Sequence, residues 1–360
     1  MQIIDSMPPL VSIVIPTYNR AALLAETVAS LQAQTYPHWE AWVVDDHSTD
    51  GTMTWLQETA QGDERIQAVV KPAGLARGAQ ASRNLGMARS RGAYVIFLDS
   101  DDLLAPTCLA ERVRVMEETP TLDFAVFPQL VFHKTPGDSD LLINIFKGEN
   151  DLDRFLMLYK GPDAPWINGG VIWRKLFLES NKIVWDEEIL SYQDIYFHIN
   201  TLLANPNYKK EHCRPDNYIR QHDGERVGNK LFNTEHLKSH SKLFSKVASS
   251  LIEKEWLTPS RAHHLAQMLF RGTWSFVRLH RFKEARATWK LTRQHGLVSP
   301  LVYQTGQRFI LLQSLLRYTP RLSVRHQQWL ERKWADSLLR PCQGGFLRHR
   351  LPEWSTQPAN

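Results

Sequence analysis

Residues 94–102 read Tyr-Val-Ile-Phe-Leu-Asp-Ser-Asp-Asp, an apolar run followed at once by three carboxylates. The β-branched and aromatic residues predict a buried strand that ends at Leu98. Three carboxylates in four residues repel one another, so a cation or hydrogen-bond donors must neutralise them. A hard divalent ion, with diphosphate oxygens and water completing its shell, is one interpretation. The alternative is an acidic turn in which Asp102 caps the next helix.

Short apolar runs alternate with helical patterns throughout the residues that precede this stretch. Strands are predicted at 11–15, 42–44 and 66–70, and helices at 21–34, 52–60 and 79–90. This order predicts an α/β fold with a mostly parallel sheet flanked by helices. Because ligands bind beyond the carboxyl ends of the strands in such sheets, the polar residues after each strand form the candidate site.

Beyond residue 102 the pattern becomes mixed and then helical. A helix is predicted at 103–118, a long strand or strand pair at 124–133, and a short helix at 151–159. From 231 onward the pattern predicts four or five helices, two of which begin at Thr258-Pro259 and Ser299-Pro300. The sequence therefore predicts an α/β domain at 1–230, an all-α basic domain at 231–340 and a loose tail at 341–360.

Charge divides the chain at the same place. The net charge is +5, but residues 231–360 hold 21 Lys and Arg against 7 Asp and Glu, together with six tryptophans. Basic residues beside Trp are typical of an element that lies on an anionic membrane surface. Docking on the acidic α/β domain or on another protein is the main alternative. Nucleic-acid binding is not favoured, because no recognised module is visible.

Cysteines and apolar runs indicate the cellular setting. Cys108, Cys213 and Cys342 are odd in number and far apart, which argues against a zinc ribbon or a disulfide scaffold. No run of about 18 uncharged apolar residues occurs, and no basic region precedes the first apolar run. We expect a cytoplasmic protein without a spanning helix or signal peptide, with peripheral contact at the inner face of the membrane as an option.

Four motifs occupy strand ends or lie shortly before one. Pro16-Thr-Tyr-Asn-Arg20 follows the first strand, Asp45-Asp-His-Ser-Thr-Asp-Gly-Thr52 follows the second, and Arg83-Asn-Leu-Gly86 precedes Asp99-Ser-Asp-Asp102. In this order and spacing, residues 9–230 resemble the inverting glycosyltransferase family 2, which has the GT-A fold. No Gly-rich loop of the nucleotidylyltransferase type follows the first strand. The Q-x-x-R-W motif of processive polysaccharide synthases is also missing from the sequence.

The resemblance implies a site for a nucleotide diphosphate-sugar, with a UDP-sugar as the expected donor. By position, the donor would contact Pro16, Thr17, Tyr18, Arg20, Asp46, Arg83, Asp99 and Ser100. Asp46 would accept a hydrogen bond from the base, and Arg83 would meet the diphosphate. Asp99 and Asp101 match the family's D-x-D motif, with Asp101 as a ligand of Mg²⁺ or Mn²⁺. The plainer alternatives are helix caps for Thr17 and Asp46 and a surface ion pair for Arg83.

The family also presents a catalytic base just before an apolar helix. Asp194 matches that position and would take the proton of the attacking hydroxyl, although it could also cap the helix. Gln193 stands where the family usually has Glu. Further candidates for donor or acceptor contacts are Trp166, Gly169, Gly170 and His222. A core position for Trp166 and a surface position for His222 are the alternatives.

Taken together, the resemblance implies an inverting, metal-assisted glycosyltransferase that acts in cell-surface glycan assembly on a glycan or lipid-linked acceptor. Two functions of other classes remain open. One is a nucleotide-sugar-binding protein without transfer activity, for which Gln193 is the support. The other is a membrane or RNA adaptor in which the basic domain is the working part.

Overall fold

A computed structural model of the protein describes residues 7–143, 150–157, 164–221 and 233–316. The strands are β1 (Val11–Thr17), β2 (Trp39–Asp45), β3 (Ile66–Val70), β4 (Tyr94–Phe97), β5 (Leu103–Leu104), β6 (Phe124–Val126), β7 (Gln129–Phe132), β8 (Leu142–Ile143), β9 (Val171–Arg174), β10 (Tyr208–Lys210) and β11 (Asn217–Arg220). The helices are α1 (Ala21–Gln32), α2 (Thr52–Gly62), α3 (Ala79–Arg89), α4 (Cys108–Glu118), α5 (Asp151–Leu156), α6 (Lys175–Ser180), α7 (Gln193–Leu203), α8 (Thr234–Glu253), α9 (Pro259–Arg278), α10 (Phe282–Gln294) and α11 (Pro300–Leu316). A single 3₁₀ turn covers Asn168–Gly170.

The larger of two sheets has seven strands in the order β10-β6-β9-β4-β1-β2-β3. Only β9 runs antiparallel to its neighbours, β4 and β6, and the other pairs are parallel. All seven residues of β1 are buried, as expected for a central strand with helices on both faces. The predicted α/β architecture with a mostly parallel sheet is therefore confirmed. The parallel pairing of β1 with β2 and β4 brings the ends of those strands to one edge.

The second sheet has four strands in the order β5-β11-β7-β8. It forms beyond the end of β4, because β5 follows the acidic segment 99–102 directly. Strand β11 pairs with β5 and β7, so residues 217–220 are carried close to the acidic segment. The predicted strand pair at 124–133 is confirmed, but its two strands belong to different sheets.

The helix predicted at 103–118 begins five residues later, at Cys108. Leu103 and Leu104 pair with β11 and are therefore extended. Asp102 consequently does not cap the next helix, whose N-cap residue is Thr107. The alternative interpretation of the acidic stretch as a helix start is wrong.

Helices α8 and α9 pack against the α/β part through a shared core. That core runs from Trp173 and Phe197 to Leu243, Phe244 and Leu265 of α8 and α9. Ion pairs reinforce the contact: Lys242 Nζ lies 2.6 Å from Glu188 Oε2, and Lys246 pairs with Asp186. Part of the basic charge of this helical unit is therefore neutralised by acidic residues of the α/β part.

Two predicted boundaries fall on residues that the structure leaves undescribed. The division near residue 230 lies within 222–232, and the predicted tail at 341–360 lies within 317–360. Across the described residues, the helices are all too short or too polar to cross a bilayer.

Candidate active site

Two loops at the ends of β1 and β2 are tied together by hydrogen bonds. The backbone N–H of Asn19 donates to Ser48 Oγ at 2.8 Å, and the N–H of Thr49 donates to Asn19 Oδ1 at 2.7 Å. Asn19 has a φ of 49°, a left-handed conformation that Asn tolerates better than most residues. The β1 loop is thus held in a fixed, open shape beside the β2 loop.

The β1 loop presents two of the predicted donor contacts. Pro16 is buried in the strand, whereas the Tyr18 side chain is 54% exposed. Thr17 is 3% exposed, and its Oγ1 has no hydrogen-bond partner among the described residues. A buried hydroxyl without a partner costs free energy, so a ligand that hydrogen-bonds Thr17 would be favoured here.

Asp46 makes two contacts that the sequence did not predict. Its Oδ1 lies 2.5 Å from the Nζ of Lys71, a lysine whose side chain is fully buried, and its Oδ2 accepts from the Gly78 N–H at 2.7 Å. Each carboxylate oxygen has two lone pairs, so these contacts leave capacity for another donor. The Asp46 carboxylate is therefore a hydrogen-bond acceptor that is held in place beside the positive charge of Lys71. Lys71 directly follows β3, and its position at a strand end was the signal that sequence reasoning overlooked.

Arginines neutralise the acidic segment that follows β4. Asp101 Oδ2 lies 2.6 Å from Arg20 Nη1, and Asp99 Oδ1 lies 2.6 Å from Arg83 Nη2. Asp102 Oδ1 accepts from the Arg220 N–H at 3.0 Å, and the Asp101 carbonyl accepts from Arg220 Nε. Arg20 and Arg83, both predicted as donor contacts, thus pair with carboxylates of the segment, and the backbone N–H of Arg220 adds a further hydrogen bond.

The same segment has the oxygen donors that a hard divalent cation prefers. The Asp99 side chain is 43% exposed and that of Asp101 is 12% exposed, while Ser100 between them is buried. Within the described residues, no three Asp, Glu, His or Cys side chains converge as a complete metal site. Two carboxylates suit an ion that takes its other ligands from diphosphate and water, as Mg²⁺ usually does. The residues therefore fit a cation that is bound together with a nucleotide.

Arg83 lies between the acidic segment and the start of α7. Its guanidinium donates to Asp99 and, from Nη1, to Gln193 Oε1 at 3.1 Å, and it stacks 4.4 Å above the Trp185 ring. Arg83 itself is only 4% exposed. The predicted diphosphate contact is therefore a buried cation that orients Asp99, and the alternative of a surface ion pair is wrong.

Asp194 stands at the second residue of α7, beside this arginine. Burial in the protein raises the pKa of its carboxyl group, the nearby Asp99 raises it further, and the Arg83 charge and the Ile195 N–H lower it. A carboxylate whose pKa is raised towards neutrality is a better proton acceptor than an ordinary exposed one. The structure thus brings Asp194 near Arg83 and Asp99, and its role as the base stays a prediction.

Helix α8 holds the loop that leads into Asp194. The Leu190 N–H donates to Ser239 Oγ at 2.7 Å, and Ser191 Oγ lies 2.6 Å from His236 Nδ1. Tyr192, the last residue before α7, has a φ of 56°, and its ring lies 5.3 Å from that of His240. The loop therefore enters α7 in an unusual conformation that α8 supports. Sequence reasoning missed this contribution because serine and histidine on a helix carry no distinctive motif.

Three of the residues predicted to contact a sugar are buried inside the protein. Trp166 has no exposed surface and packs against Phe124 and Phe155, so its expected sugar contact is wrong and its core alternative is correct. Gly169 and Gly170 are also buried, and a Cβ on Gly169 would lie 2.6 Å from Asn217 Oδ1. The close approach at Gly169 is therefore made by the protein itself. His222 lies outside the described residues.

Comparisons with known proteins agree with this geometry. The model of glycosyl transferase family 2 matches residues 12–165, which include β1–β4 and the acidic segment. A putative teichuronic acid biosynthesis glycosyltransferase, TuaG of Bacillus subtilis, is 39% identical over 131 residues, covering 36% of this chain and 51% of the relative. A UDP-Glc:alpha-D-GlcNAc-diphosphoundecaprenol beta-1,3-glucosyltransferase, WfgD of Escherichia coli, is 35% identical over 107 residues, covering 30% of this chain and 41% of that protein. The matches thus span about half or less of these relatives.

A solved structure extends the similarity to the whole fold. The structure of S. aureus TarS residues 1–349 in complex with UDP-GlcNAc superimposes with a TM-score of 0.64 and 19% identity, covering 88% of this chain and 92% of that one. Because the sequence identity is low, the similarity shows a shared fold alone. The superposition extends beyond the α/β part into the C-terminal helices. The family model, the strand-end motifs and the parallel sheet agree: residues 12–165 match glycosyltransferase family 2, and the fold is that of the GT-A glycosyltransferases.

Proposed function

We propose that this protein transfers a glycosyl group, with inversion, from a nucleotide diphosphate-sugar to an acceptor hydroxyl. One observation carries the proposal. The segments after β1, β2 and β4 and the start of α7 form one polar network, in which Arg20 joins the first loop to Asp101 and Arg83 joins Asp99 to Gln193 beside Asp194. A donor site and a base are thereby adjacent, which in-line displacement at a sugar carbon requires.

The donor side rests on groups of the β1 and β2 loops. Thr17 Oγ1 is a hydroxyl without a partner, Asp46 is a fixed acceptor, and the exposed Tyr18 ring offers a face to a base or ribose. A carboxylate accepts from the N3–H of uracil, so a UDP-sugar is the donor that we favour. Mg²⁺ or Mn²⁺ held by Asp101 and Asp99 would offset the negative charge that develops on the departing diphosphate.

Asp194 is the base in this proposal. It would accept the proton of the acceptor hydroxyl while that oxygen bonds to the anomeric carbon and the bond to the diphosphate breaks. Arg83 holds Asp99 in place and keeps positive charge near Asp194, which opposes the rise that burial causes in the pKa of that carboxyl group.

The acceptor and the pathway rest on the relatives. The names of the two relatives describe teichuronic acid biosynthesis and transfer to a diphosphoundecaprenol-linked sugar. We therefore place the reaction in cell-surface glycan assembly, with a glycan or lipid-linked glycan as acceptor.

The test uses the full chain with a panel of nucleotide-sugars and Mn²⁺. Calorimetry measures donor binding, and release of free UDP measures turnover, with water replacing an acceptor where none is known. We expect Asp101→Asn to weaken metal-dependent donor binding. We expect Asp194→Asn to retain binding while turnover falls by about 10²–10⁴-fold.

The alternative of a nucleotide-sugar-binding protein without transfer activity makes a different prediction. In that case the wild type binds a donor but releases no UDP above the level of Asp194→Asn. Absence of metal-assisted binding of every nucleotide-sugar would contradict both functions.

A further inference from the structure

Helices α9, α10 and α11 run up, down and up beside one another. Only residues 279–281 separate α9 from α10, and only 295–299 separate α10 from α11. Two contacts fix the alignment: Trp289 Nε1 donates to the Tyr303 carbonyl at 2.9 Å, and the rings of Trp274 and Phe309 lie 5.3 Å apart. The end of α9, the start of α10 and the end of α11 therefore lie together at one end of the helical unit.

That end carries an unusual combination of side chains, which we call the helix-end surface. Its cations are exposed, and its leucines are 40–59% exposed. The cations are Arg278, Arg281 and Lys283, and the leucines are Leu279, Leu311, Leu312 and Leu315. The helical periodicity explains the leucines, since positions 311, 312 and 315 lie opposite the buried side chains of Phe309, Ile310 and Gln313 on α11.

The cations of this surface differ from those on the other side of the helical unit. Lys242, Lys246 and Arg261 are paired with acidic residues of the α/β part. In the described part of the chain, none of Arg278, Arg281 and Lys283 takes part in an ion pair. The exposed cations Arg286, Lys290 and Arg293 continue the positive charge along α10, at spacings that place them on one face with Lys283.

We propose that the helix-end surface is a docking site for an anionic lipid bilayer. Both the cations and the leucines favour this partner. The cations are attracted to acidic headgroups, and burial of the neighbouring leucines at the boundary of the acyl chains is favourable. Nucleic-acid phosphates would satisfy the cations but leave the leucines in water. This surface shares no residue with the candidate active site, so the inference goes beyond the proposed transfer reaction.

The experiment measures co-sedimentation of the full chain with vesicles of phosphatidylcholine, with and without 30 mol% phosphatidylglycerol. The charge variant is Arg278→Gln/Arg281→Gln/Lys283→Gln, and the apolar variant is Leu311→Ser/Leu312→Ser/Leu315→Ser. The control Arg89→Gln/Arg114→Gln/Lys209→Gln removes the same charge from exposed positions of the α/β part. Circular dichroism verifies that each variant is folded.

We expect the wild type and the control to bind anionic vesicles and to bind neutral vesicles weakly. Each cation contributes about a fivefold factor in partitioning, so the charge variant should lose binding by about 100-fold. The apolar variant should also lose binding by at least tenfold, because burial of leucine contributes to the same contact. The proposal is overturned if both variants bind like the control, if neutral vesicles bind equally well, or if RNA displaces the protein while the leucine substitutions have no effect.

Discussion

Residue 193 precedes Asp194 and contacts Arg83, the cation that acts on the Asp194 carboxyl group. Gln193 accepts a hydrogen bond from Arg83 without adding a negative charge next to Asp194, the proposed base. Arg83 is therefore bonded directly to one carboxylate, that of Asp99. Its positive charge also acts on Asp194 and lowers the pKa of that carboxyl group, which burial raises. A glutamate at 193 would both repel the Asp194 carboxylate and compete for the arginine.

We accordingly expect Gln193→Glu to raise the pKa of Asp194 further. The proposed base works when ionised, so the rate should rise with pH through this pKa, and the acid limb of the kcat profile should move to higher pH. Gln193→Ala is the control, because it removes the same hydrogen bond without adding charge, and its limb should move less. An acid limb that is the same in the wild type and Gln193→Glu would rule out this electrostatic role.

The sequence predicted individual residues of the site better than their partners. Asp99 and Asp101 follow from the rule that ligands meet strand ends in a parallel sheet, and Asp194 follows from the family resemblance. The bond from Arg83 to Gln193 joins residues 110 positions apart, and that from Asp46 to Lys71 depends on how β2 pairs with β3. Such pairs are set by strand order and register, which hydrophobic periodicity does not specify.

At the scale of secondary-structure elements, α8 completes the site by supporting the loop before α7. Its residues at 236, 239 and 240 lie on one helical face, and all three contact residues 190–192. The left-handed conformation of Tyr192 costs free energy for a residue with a Cβ, so this loop keeps its shape only while its surroundings hold it. The helical unit is therefore part of the catalytic apparatus in our proposal.

Ser239→Ala should lower kcat by about tenfold and leave the donor Kd unchanged. The substitution leaves the N–H of Leu190 without its partner, and a lost hydrogen bond of this kind costs about 1–3 kcal/mol, part of which appears as misplacement of Asp194. Ser245→Ala is the matched control, because Ser245 lies on the same helix but bonds His295 within the helical unit. Equal kcat values for the two variants would contradict a role of α8 in positioning the base.

Helix boundaries, like the contacts between distant side chains, were not fully predictable from the sequence. The apolar spacing of 103–118 predicted one helix, but the first two residues extend and pair with β11, which lies more than a hundred residues further along. A two-residue strand has no periodicity of its own. The long amphipathic helices α8, α9 and α10, by contrast, were predictable because each has a well-defined apolar face.

At the scale of the whole molecule, one apolar core joins the sheet to helices α8 and α9, and His198 and His240 are buried within the described part of it. His198 packs among Trp166, Trp173 and Phe197, and His240 packs against Tyr192 and Phe244. Burial, together with the smaller effect of a nearby arginine, lowers the pKa of His198 to about 3 and that of His240 to about 4. Both imidazoles are therefore neutral in the folded protein over the range in which they become charged in the unfolded chain.

This arrangement predicts loss of stability in mild acid. Between about pH 6.5 and pH 4 the unfolded chain binds more protons than the folded protein, so the free energy of unfolding falls as pH falls, by up to ~1.4 kcal/mol per pH unit for each histidine. Urea titrations at several pH values measure the slope. His198→Phe keeps the aromatic volume and should remove about half of this pH slope, whereas substitution of the exposed His38 by Phe should leave the slope unchanged.

Because the core is shared, a fluorescence probe of the sheet and a helical circular-dichroism signal should report one unfolding transition at every pH. Separate midpoints for the two signals would show that the helical unit unfolds independently.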